Sequence, residues 1–351
     1  MVTRTGRDFS VGAAWFRPRG VLPPARRGSS RAAWFHPRGA PPVPTRRLRC
    51  RPVTIAVLYN PISGAGRAQA TAATMKDGLE RAQCRVTMIP TQRGDPSEWL
   101  RPALTDDAGR RVDAVVVAGG DGAVRLAAGE CARAGVPLWH APCGTENLFA
   151  RAFGMRSDAA AVVEAVRAQR TRRIDLGEAD GEPFVIMASF GFDADVVHAL
   201  ASTRTGAISH LSYAAPILRT IGAWRARDLA WTVDGETERL GEGMVVVGNL
   251  PDYGVRLNPA AEAVPDDGLL DAVFLPAPTP LAIASWVPWL RTGMHLRHPH
   301  IRQRRGRSIE IHADRPVRMQ VDGDAAGGGH GATIVRLGIS GERLPVLLPA
   351  G

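Results

Sequence analysis

Residues 115–124 read VVVAGGDGAV, and this segment indicates more about the fold than any other. A continuous run of β-branched residues is typical of a buried parallel strand, and here it leads straight into Gly119, Gly120, Asp121 and Gly122 and then into a helical stretch. Glycines let a backbone approach a phosphate closely, and a helix N-terminus offers free N–H groups with a partial positive charge. The segment therefore predicts a phosphate-binding loop, although a structural turn in which Asp121 caps the helix fits the same letters.

Two further loops of small residues follow predicted strands in the same way. The strand 53–59 leads into residues 60–66 (NPISGAG), and the strand 136–140 leads into residues 141–151 (APCGTENLFAR). The first loop lacks the Gly-Lys-Ser/Thr ending of a Walker A loop and the spaced glycines of a dinucleotide fingerprint. Because the carboxyl ends of parallel strands meet at one edge of a sheet, the three loops together predict a crevice for a polyphosphate.

The rest of the chain divides into two predicted domains. Up to about residue 174 strands alternate with helices, which indicates βαβ units and a parallel sheet. Beyond it strand follows strand, which is typical of a mostly antiparallel domain. We expect an α/β domain at 53–178, a β-rich domain at 179–330, and the site in the cleft between them. The predicted helices are 68–81, 96–104, 123–134, 196–201, 209–223 and 280–291, and the later predicted strands include 183–190, 229–233, 243–247, 269–275, 308–312, 317–321 and 333–337.

The composition narrows the class of protein. With 45% hydrophobic and 22% charged residues among 351, the chain can bury a sizeable core, and no stretch reaches the roughly 18 uninterrupted apolar residues of a membrane span. The net charge of +10 is concentrated in residues 1–52, which hold twelve arginines and one acid, Asp8. We expect this Arg- and Pro-rich tail to be disordered. The remainder is close to neutral, so a nucleic-acid partner is not expected.

The four cysteines lack the spacing of a zinc site and are expected to be free thiols.

The three loops, in this order and spacing, resemble the diacylglycerol kinase catalytic domain of bacterial lipid kinases. Residues 60–66 match that family's NPxSG loop, 119–122 its GGDG motif, and 144–147 its GTxN motif. The resemblance extends over about residues 53–347. Further matching segments are 174–177 (IDLG), 189–194 (SFGFDA), Asn249, 257–271 (LNPAAEAVPDDGLLD) and 321–324 (VDGD).

This resemblance implies a fold, a reaction and a set of partners. The first domain would resemble the α/β domain of NAD kinases, the second would be a β-sandwich that helps to form the lipid site, and the segment 331–351 would return to the first domain. The reaction would be magnesium-dependent transfer of the γ-phosphoryl group of ATP to a lipid hydroxyl such as that of diacylglycerol. The protein would be cytoplasmic and peripherally bound to the anionic inner face of the membrane, with a homodimer left open.

The resemblance also assigns roles to residues of the crevice. Asp324 would be the general base that takes the proton from the lipid hydroxyl, and Asp121 would help to orient the catalytic metal and the phosphates. The residues expected to bind the nucleotide are Asn60, Pro61, Ser63, Gly64, Gly66, Thr91, Gly119, Gly120, Asp121, Gly122, Gly144, Thr145 and Asn147.

A structural magnesium ion is implied at the loop that reads VPDDGLL. The carboxylate of Asp267 and the backbone carbonyls of Val264 and Leu269 would be its ligands, and oxygen ligands of this kind suit magnesium. Asp175 and Asp193 would belong to the supporting polar network. Asp175 would act with Asp121 in orienting the catalytic metal and the phosphates. Without the resemblance, acids of this loop would be taken for turn and strand-end residues.

Two departures from the family pattern leave other functions open. Ala123 stands where GGDGT has a threonine, and Asp324 stands where the base is commonly a glutamate. Weaker ATP binding and a reduced reach of the base would follow, since a hydroxyl and a methylene group are missing. The alternatives are a nucleotide-binding regulator with little turnover and a NAD-kinase-like nucleotide kinase.

A basic segment follows the Pro-interrupted apolar stretch near the C-terminal end. Residues 291–307 contain six arginines, and Trp286 and Trp289 precede them. Tryptophans beside a basic strip suit docking on an anionic membrane surface. A solvated basic loop would explain the same residues.

Overall fold

The computed structural model describes residues 52–61, 66–106, 108–203 and 214–350. The predicted disordered tail, apart from Pro52, and the loop residues Ser63 and Gly64 lie outside the described residues. The strands are β1 (Thr54–Tyr59), β2 (Arg85–Pro90), β3 (Ala114–Gly119), β4 (Leu138–Pro142), β5 (Thr171–Ala179), β6 (Glu182–Phe184), β7 (Met187–Phe190), β8 (Arg227–Val233), β9 (Glu236–Gly248), β10 (Leu270–Pro276), β11 (Arg302–Gly306), β12 (Ser308–Val317), β13 (Met319–Val321), β14 (Asp324–Ala326) and β15 (Ala332–Leu347). The helices are α1 (Arg67–Arg81), α2 (Pro96–Ala103), α3 (Asp121–Ala134), α4 (Leu148–Ala152), α5 (Ala159–Arg167), α6 (Phe192–Thr203), α7 (Ala214–Ala223) and α8 (Pro280–Thr292).

The first lobe is built on four parallel strands in the order β4-β3-β1-β2. β3 is buried along its whole length and β1 nearly so, because helices cover both faces of such a sheet and leave no polar side to the strands. Tyr59 of β1 lies beside Pro90 of β2 and Ala118 of β3, while Gly119 lies beside Pro142 of β4. The four strands therefore end at the same edge of the sheet.

The second lobe is antiparallel and has its own core. Its strands follow the order β14-β13-β7-β9-β8-β12-β15, and β10 pairs with β9 and β11. A separate apolar cluster fills it, with Phe184, Phe190 and Trp231 among its fully buried side chains. The prediction of a parallel α/β lobe followed by a mostly antiparallel one is confirmed.

The last strand connects the two lobes. The first part of β15 pairs antiparallel with β12, and its later part pairs antiparallel with β5 and lies beside β4 at Val346 and Leu138. A strand of 16 residues is long enough to cross from one lobe to the other. The lobes thus share backbone hydrogen bonds as well as side-chain packing.

Three local differences from the sequence prediction have physical causes. The strand predicted at 183–190 is divided into β6 and β7, because three consecutive N–H groups at Val185, Ile186 and Met187 donate to the carboxylate of Asp322 instead of to a neighbouring strand. The basic segment contains β11, which pairs with β10 along its full length. Helices α4 and α5 were not predicted, since α4 has five residues and lies directly behind a glycine-containing loop.

Candidate active site

The predicted phosphate loops lie at the common edge where β1 to β4 end. Asn60 and Pro61 follow β1 directly, and Gly66 precedes α1 with a φ of +89°, a conformation that glycine adopts most readily. The N–H of Thr91 donates to Tyr59 O at 2.8 Å, which holds the end of β2 against the end of β1. The structure therefore brings Asn60, Pro61, Gly66 and Thr91 to the edge that the GGDG loop occupies.

The GGDG loop joins β3 to the start of α3 without an intervening coil. Gly119 is the last residue of β3, Gly120 is extended, and α3 begins at Asp121. The N–H groups of Ala123 and Val124 donate to Gly120 O, so those of Asp121 and Gly122 belong to the helix start that has no intrahelical acceptor. The positive end of the α3 helix dipole lies at these two N–H groups, which suits a phosphate group.

Asp121 caps the neighbouring helix. Its two carboxylate oxygens accept the N–H groups of Leu148 and Phe149, each at 3.0 Å, at the start of α4. Asp121 thus acts as a helix cap, as one of the two sequence interpretations has it. The helix that it caps is α4 and not α3. Asp121 joins the GGDG loop to the loop 143–147.

Asn147 fixes the third loop from within. Its Oδ1 accepts the N–H of Gly144 at 2.8 Å and its Nδ2 donates to Gly144 O at 3.0 Å, with Asn147 itself in the left-handed region at a φ of +53°. A Cβ atom on Gly144 would lie 2.6 Å from Gly120 Cα. Gly144 therefore needs to be glycine, because the two loops touch backbone to backbone, while a Cβ atom on Gly120 would lie 3.3 Å from Gly144 Cα. Thr145 lies between these fixed points.

Asp324 of the second lobe lies against the first turn of α3. A Cβ atom on Gly122 would be 2.9 Å from Asp324 Oδ2, so the carboxylate packs directly on the glycine of the GGDG motif. The guanidinium of Arg125, one turn into the helix, lies 3.4 Å from Asp324 and 3.3 Å from Glu182. The side chain of Asp324 is 39% exposed. The predicted base and the predicted phosphate loop are thus next to each other, with the base open to a second substrate.

A tight hairpin holds Asp324 in this position. Asp322 and Gly323 form the two-residue turn between β13 and β14, both with positive φ, as the Asp-Gly pair predicts. The carboxylate of Asp322 accepts the N–H groups of residues 185, 186 and 187 at 2.8 to 2.9 Å. Burial raises the pKa of Asp322 to about 7, against the opposing effect of these three donors and of Arg125. The turn is therefore anchored to the junction of β6 and β7.

A buried polar chain supports the same turn from below. Gln320 accepts the N–H of Gly323 at 2.8 Å and donates to Ser189 Oγ at 2.6 Å, and Ser189 in turn donates to Asp193 Oδ2. Burial raises the pKa of Asp193, while its hydrogen bonds act in the opposite direction. The structure thus connects Asp193 to the hairpin that carries Asp324.

Asp175 lies in a different cluster from the phosphate loops. Its Oδ1 pairs with Arg343 at 2.7 Å, its Oδ2 accepts the N–H of Gly268 at 2.7 Å, and its own N–H donates to Pro265 O. Both oxygens of Asp175 are directed to the acidic loop and to β15, and its expected part in the network around the phosphates stays a prediction. Asp175 organises the loop that was predicted to hold magnesium.

The acidic loop does not fit a magnesium ion as folded. Both oxygens of Asp267 are engaged, Oδ1 by the N–H of Leu269 at 3.0 Å and Oδ2 by the guanidinium of Arg305. Among the described residues no group of three or more His, Cys, Asp or Glu side chains is arranged to hold a metal ion. The set formed by Asp267 with the carbonyls of Val264 and Leu269 would need Arg305 to leave before a cation entered.

The basic segment differs from the predicted docking strip. Trp286 is buried and donates its indole N–H to Pro276 O at 2.7 Å, so it is not available to a membrane. Trp289 remains 42% exposed. The arginines of β11 are paired, Arg302 and Arg304 with Glu238, and Arg305 with one acid of the preceding loop and one of β10. In the described part of the chain, no helix has the length and apolar character to cross a membrane.

Sequence reasoning did not assign roles to Gln320 and Asp322. Both hold the hairpin through partners more than 100 residues away in the chain, and nothing in the local sequence identifies such partners. The one available signal was a glutamine inside the apolar run MQV, where an unpaired polar side chain would be unfavourable.

Comparison with known protein families agrees with this architecture. Residues 54–179 match the model of the diacylglycerol kinase catalytic domain, and residues 186–338 match the model of the YegS C-terminal NAD kinase beta sandwich-like domain. The two matches follow each other in the order of the two lobes.

Similar proteins of known name extend over most of the chain. The protein named "Probable lipid kinase YegS-like" from Pseudomonas aeruginosa is 31% identical over 309 residues, which cover 85% of this chain and 94% of that protein. The diacylglycerol kinase of Mycobacterium tuberculosis is 27% identical and covers 78% of this chain and 89% of its own length. A diacylglycerol kinase from Bacillus anthracis has the same fold, with a TM-score of 0.59 at 17% identity over 84% of this chain and 96% of that one. The chain belongs to the diacylglycerol kinase-like family of lipid kinases.

Proposed function

We propose that the protein transfers the γ-phosphoryl group of ATP to the hydroxyl of a membrane lipid, with diacylglycerol as the first acceptor to test. The observation that carries this proposal is the contact between Asp324 of the second lobe and the first turn of α3, at the GGDG motif. A carboxylate beside a phosphate-binding helix start is where the acceptor hydroxyl and the γ-phosphate have to meet.

The nucleotide phosphates lie along the edge formed by the ends of β1 to β4. The N–H groups of Asp121 and Gly122 at the start of α3 bind a phosphate. Asn60, Pro61, Ser63, Gly64, Gly66, Thr91, Thr145 and Asn147 complete the nucleotide site on this proposal.

Asp324 takes the proton of the lipid hydroxyl as the transfer proceeds. The hydroxyl oxygen forms a bond to the γ-phosphorus, the bond from that phosphorus to the β–γ bridging oxygen breaks, and ADP leaves with the electron pair. The proton goes to a carboxylate oxygen of Asp324, so atoms and charge balance. Arg125 keeps this carboxylate turned toward the helix start.

A magnesium ion bound with ATP would neutralise the phosphate charge during transfer. Hydrogen bonds from N–H groups position the phosphates but carry no full positive charge. The proposed reaction therefore depends on a magnesium–ATP complex, and the residues of this chain supply orientation and the base.

The lipid reaches the site at a membrane surface. Leu218 on α7 and Leu281 on α8 are 69% and 80% exposed, and Arg219 and Arg291 are exposed on the same helices. The indole N–H of Trp224, at the end of α7, donates to Ala277 O just before α8, so the two helix ends are neighbours. An exposed leucine next to an arginine, as at Leu218 and Arg219, suits the headgroup region of an anionic membrane.

Transfer of labelled phosphate from ATP into a panel of lipids in mixed micelles with magnesium tests the proposal. The panel holds diacylglycerol, a sphingoid base, a glycerolipid intermediate and a polyprenyl alcohol, with NAD as a non-lipid acceptor. Lipid-dependent incorporation supports a lipid kinase and names the acceptor. Incorporation into NAD alone, or nucleotide binding without any transfer, contradicts it.

A further inference from the structure

The loop 264–269 lies in a cluster of four carboxylates and three guanidinium groups outside the phosphate crevice. Two of the acids belong to the loop itself, one to β5 and one to β10. The arginines come from β5, β11 and β15. The acids are Asp175, Asp266, Asp267 and Asp271, and the arginines are Arg172, Arg305 and Arg343. Three positive groups therefore face four carboxylates within one short stretch of the structure.

Arg343 joins the loop to strand β5. Its Nε donates to Asp175 Oδ1 at 2.7 Å and its Nη2 donates to the backbone carbonyl of Asp266 at 2.7 Å. Asp175 is almost fully buried, and a buried carboxylate needs a positive partner to remain charged. The hydrogen bond to Asp175 raises the pKa of Arg343, and the charges of Asp175, Asp266 and Asp267 act in the same direction.

Arg305 and Arg172 neutralise the remaining acids. Arg305 pairs with Asp267 and lies 3.2 Å from Asp271, whose side chain is completely buried. Arg172 binds Asp266 through two parallel hydrogen bonds of 2.6 and 2.7 Å. Each carboxylate of the cluster thus has an arginine, and a fork of N–H donors matches a carboxylate with defined geometry.

A divalent ion at this place would have to displace guanidinium groups that are already bound. A magnesium site needs several free oxygen ligands around one point. Here Asp175 uses one oxygen for Arg343 and the other for Gly268, while Asp267 uses its oxygens for Leu269 and Arg305. The guanidinium groups hold a backbone carbonyl and two carboxylates together through N–H donors. A bound cation would hold such oxygen atoms by coordinating them.

We propose that Arg305 and Arg343 take the place of the structural magnesium ion that the family resemblance implies at this loop. The loop leads into β10 of the second lobe, and Arg343 and Asp175 lie opposite each other on the paired strands β15 and β5. The connection between the loop and these strands is therefore independent of a divalent cation. This inference does not depend on the substrate or on catalysis.

Thermal unfolding of the full-length protein without nucleotide tests the inference. The midpoint of the wild type is expected to be the same in excess chelator and in millimolar magnesium. The double variant Arg305→Ala/Arg343→Ala is expected to unfold about 5–10 °C lower, because it leaves buried carboxylates without a positively charged partner. The matched control Arg336→Ala removes an exposed arginine of β15 that pairs with Glu310, and it is expected to unfold close to the wild type.

Two results would overturn the inference. One is a wild-type midpoint that falls in chelator and recovers with magnesium, and the other is a double variant as stable as the control. If the double variant does not fold, calorimetric titration of magnesium alone into the wild type decides the question. Saturable binding contradicts the inference, and the lack of a binding heat supports it.

Discussion

Asp324 reaches the GGDG helix although its side chain is one methylene group shorter than the glutamate commonly found at this position of the family. The hairpin explains the reach, since the turn at Asp322 and Gly323 is bound to the β6–β7 junction and brings the start of β14 against α3. Its Oδ2 is 2.9 Å from the Cβ position of Gly122.

Ala123 gives a prediction at the same scale. The residue lies in the first turn of α3, where a threonine hydroxyl would be able to accept or donate a hydrogen bond near the nucleotide phosphates. The substitution Ala123→Thr is expected to tighten nucleotide binding by about fivefold, which corresponds to about 1 kcal/mol for one hydrogen bond. Calorimetric titration with magnesium–ATP measures this change. Unchanged or weaker binding would show that the position does not contact the nucleotide.

Among structural elements, the two phosphate loops depend on a contact between glycines. Gly144→Ala would put a Cβ atom 2.6 Å from Gly120 Cα and 3.0 Å from Asn147 Oδ1, and neither the backbone nor the anchored side chain can move easily. We expect nucleotide affinity to fall by at least about tenfold, since a core-like overlap of this size costs about 1–3 kcal/mol. Titration with nucleotide is the measurement.

The matched control for this change is Gly222→Ala. Gly222 lies within α7, and a Cβ atom there would meet nothing within 4 Å. Alanine is favoured over glycine in a helix, so this variant is expected to keep its nucleotide affinity and its stability. A Gly144→Ala protein that binds nucleotide as the control does would refute the role of the loop contact.

The hairpin turn predicts a pH dependence of stability. Because burial raises the pKa of Asp322 to about 7 from 3.8, the folded state keeps its proton over a range where the unfolded state has lost it. The contribution of Asp322 to stability is therefore complete below about pH 4 and is lost as the pH rises through about 7. In this window the free energy of unfolding falls by up to about 1.4 kcal/mol per pH unit from this group.

Denaturant unfolding of the wild type and of Asp322→Asn at pH 5 and pH 7.5 isolates this effect. The pKa values of Asp193 and Asp271 are also raised by burial, but both residues are present in the two proteins, so their contributions cancel in the difference. The wild type is expected to lose more stability between the two pH values than the variant does. An equal loss in both proteins would mean that Asp322 titrates normally.

The sequence was sufficient to predict the elements whose cause is local. Buried runs such as VVVA identified the parallel strands, and the small residues after them identified the loops at the carboxyl ends of these strands. The register that aligns Tyr59, Gly119 and Pro142 at one edge follows from parallel pairing. Local patterns thus predicted the fold, while the polyphosphate crevice stays a prediction.

Contacts between distant segments could not be predicted in this way. Asp175 pairs with Arg343, 168 residues later, and nothing near either residue identifies the other. The sequence left open whether Trp286 lies at a membrane surface or beside a solvated basic loop, and the fold buries it against β10. A polar or aromatic residue acquires its role from its tertiary neighbours, which a single sequence does not reveal.

For the whole molecule, the exposed leucines of α7 and α8 predict a membrane-facing side. The double variant Leu218→Glu/Leu281→Glu adds two negative charges to this side, and its co-sedimentation with anionic phosphatidylglycerol vesicles is expected to fall at least about tenfold. The control is Ile334→Glu on β15, where the isoleucine is 43% exposed. Equal loss of binding in the control would indicate a general charge effect and no particular docking side.

The central claim is that Asp324, brought from the second lobe to the GGDG helix, is the base of a lipid kinase. The most direct measurement is phosphoryl transfer from ATP to the lipid acceptor by the wild type, by Asp324→Asn and by the control Glu310→Gln, which removes an acid elsewhere in the second lobe. We expect Asp324→Asn to bind nucleotide but to transfer at least about 100-fold more slowly, as loss of a general base does, while the control retains the wild-type rate. Transfer by Asp324→Asn at the wild-type rate would contradict the account.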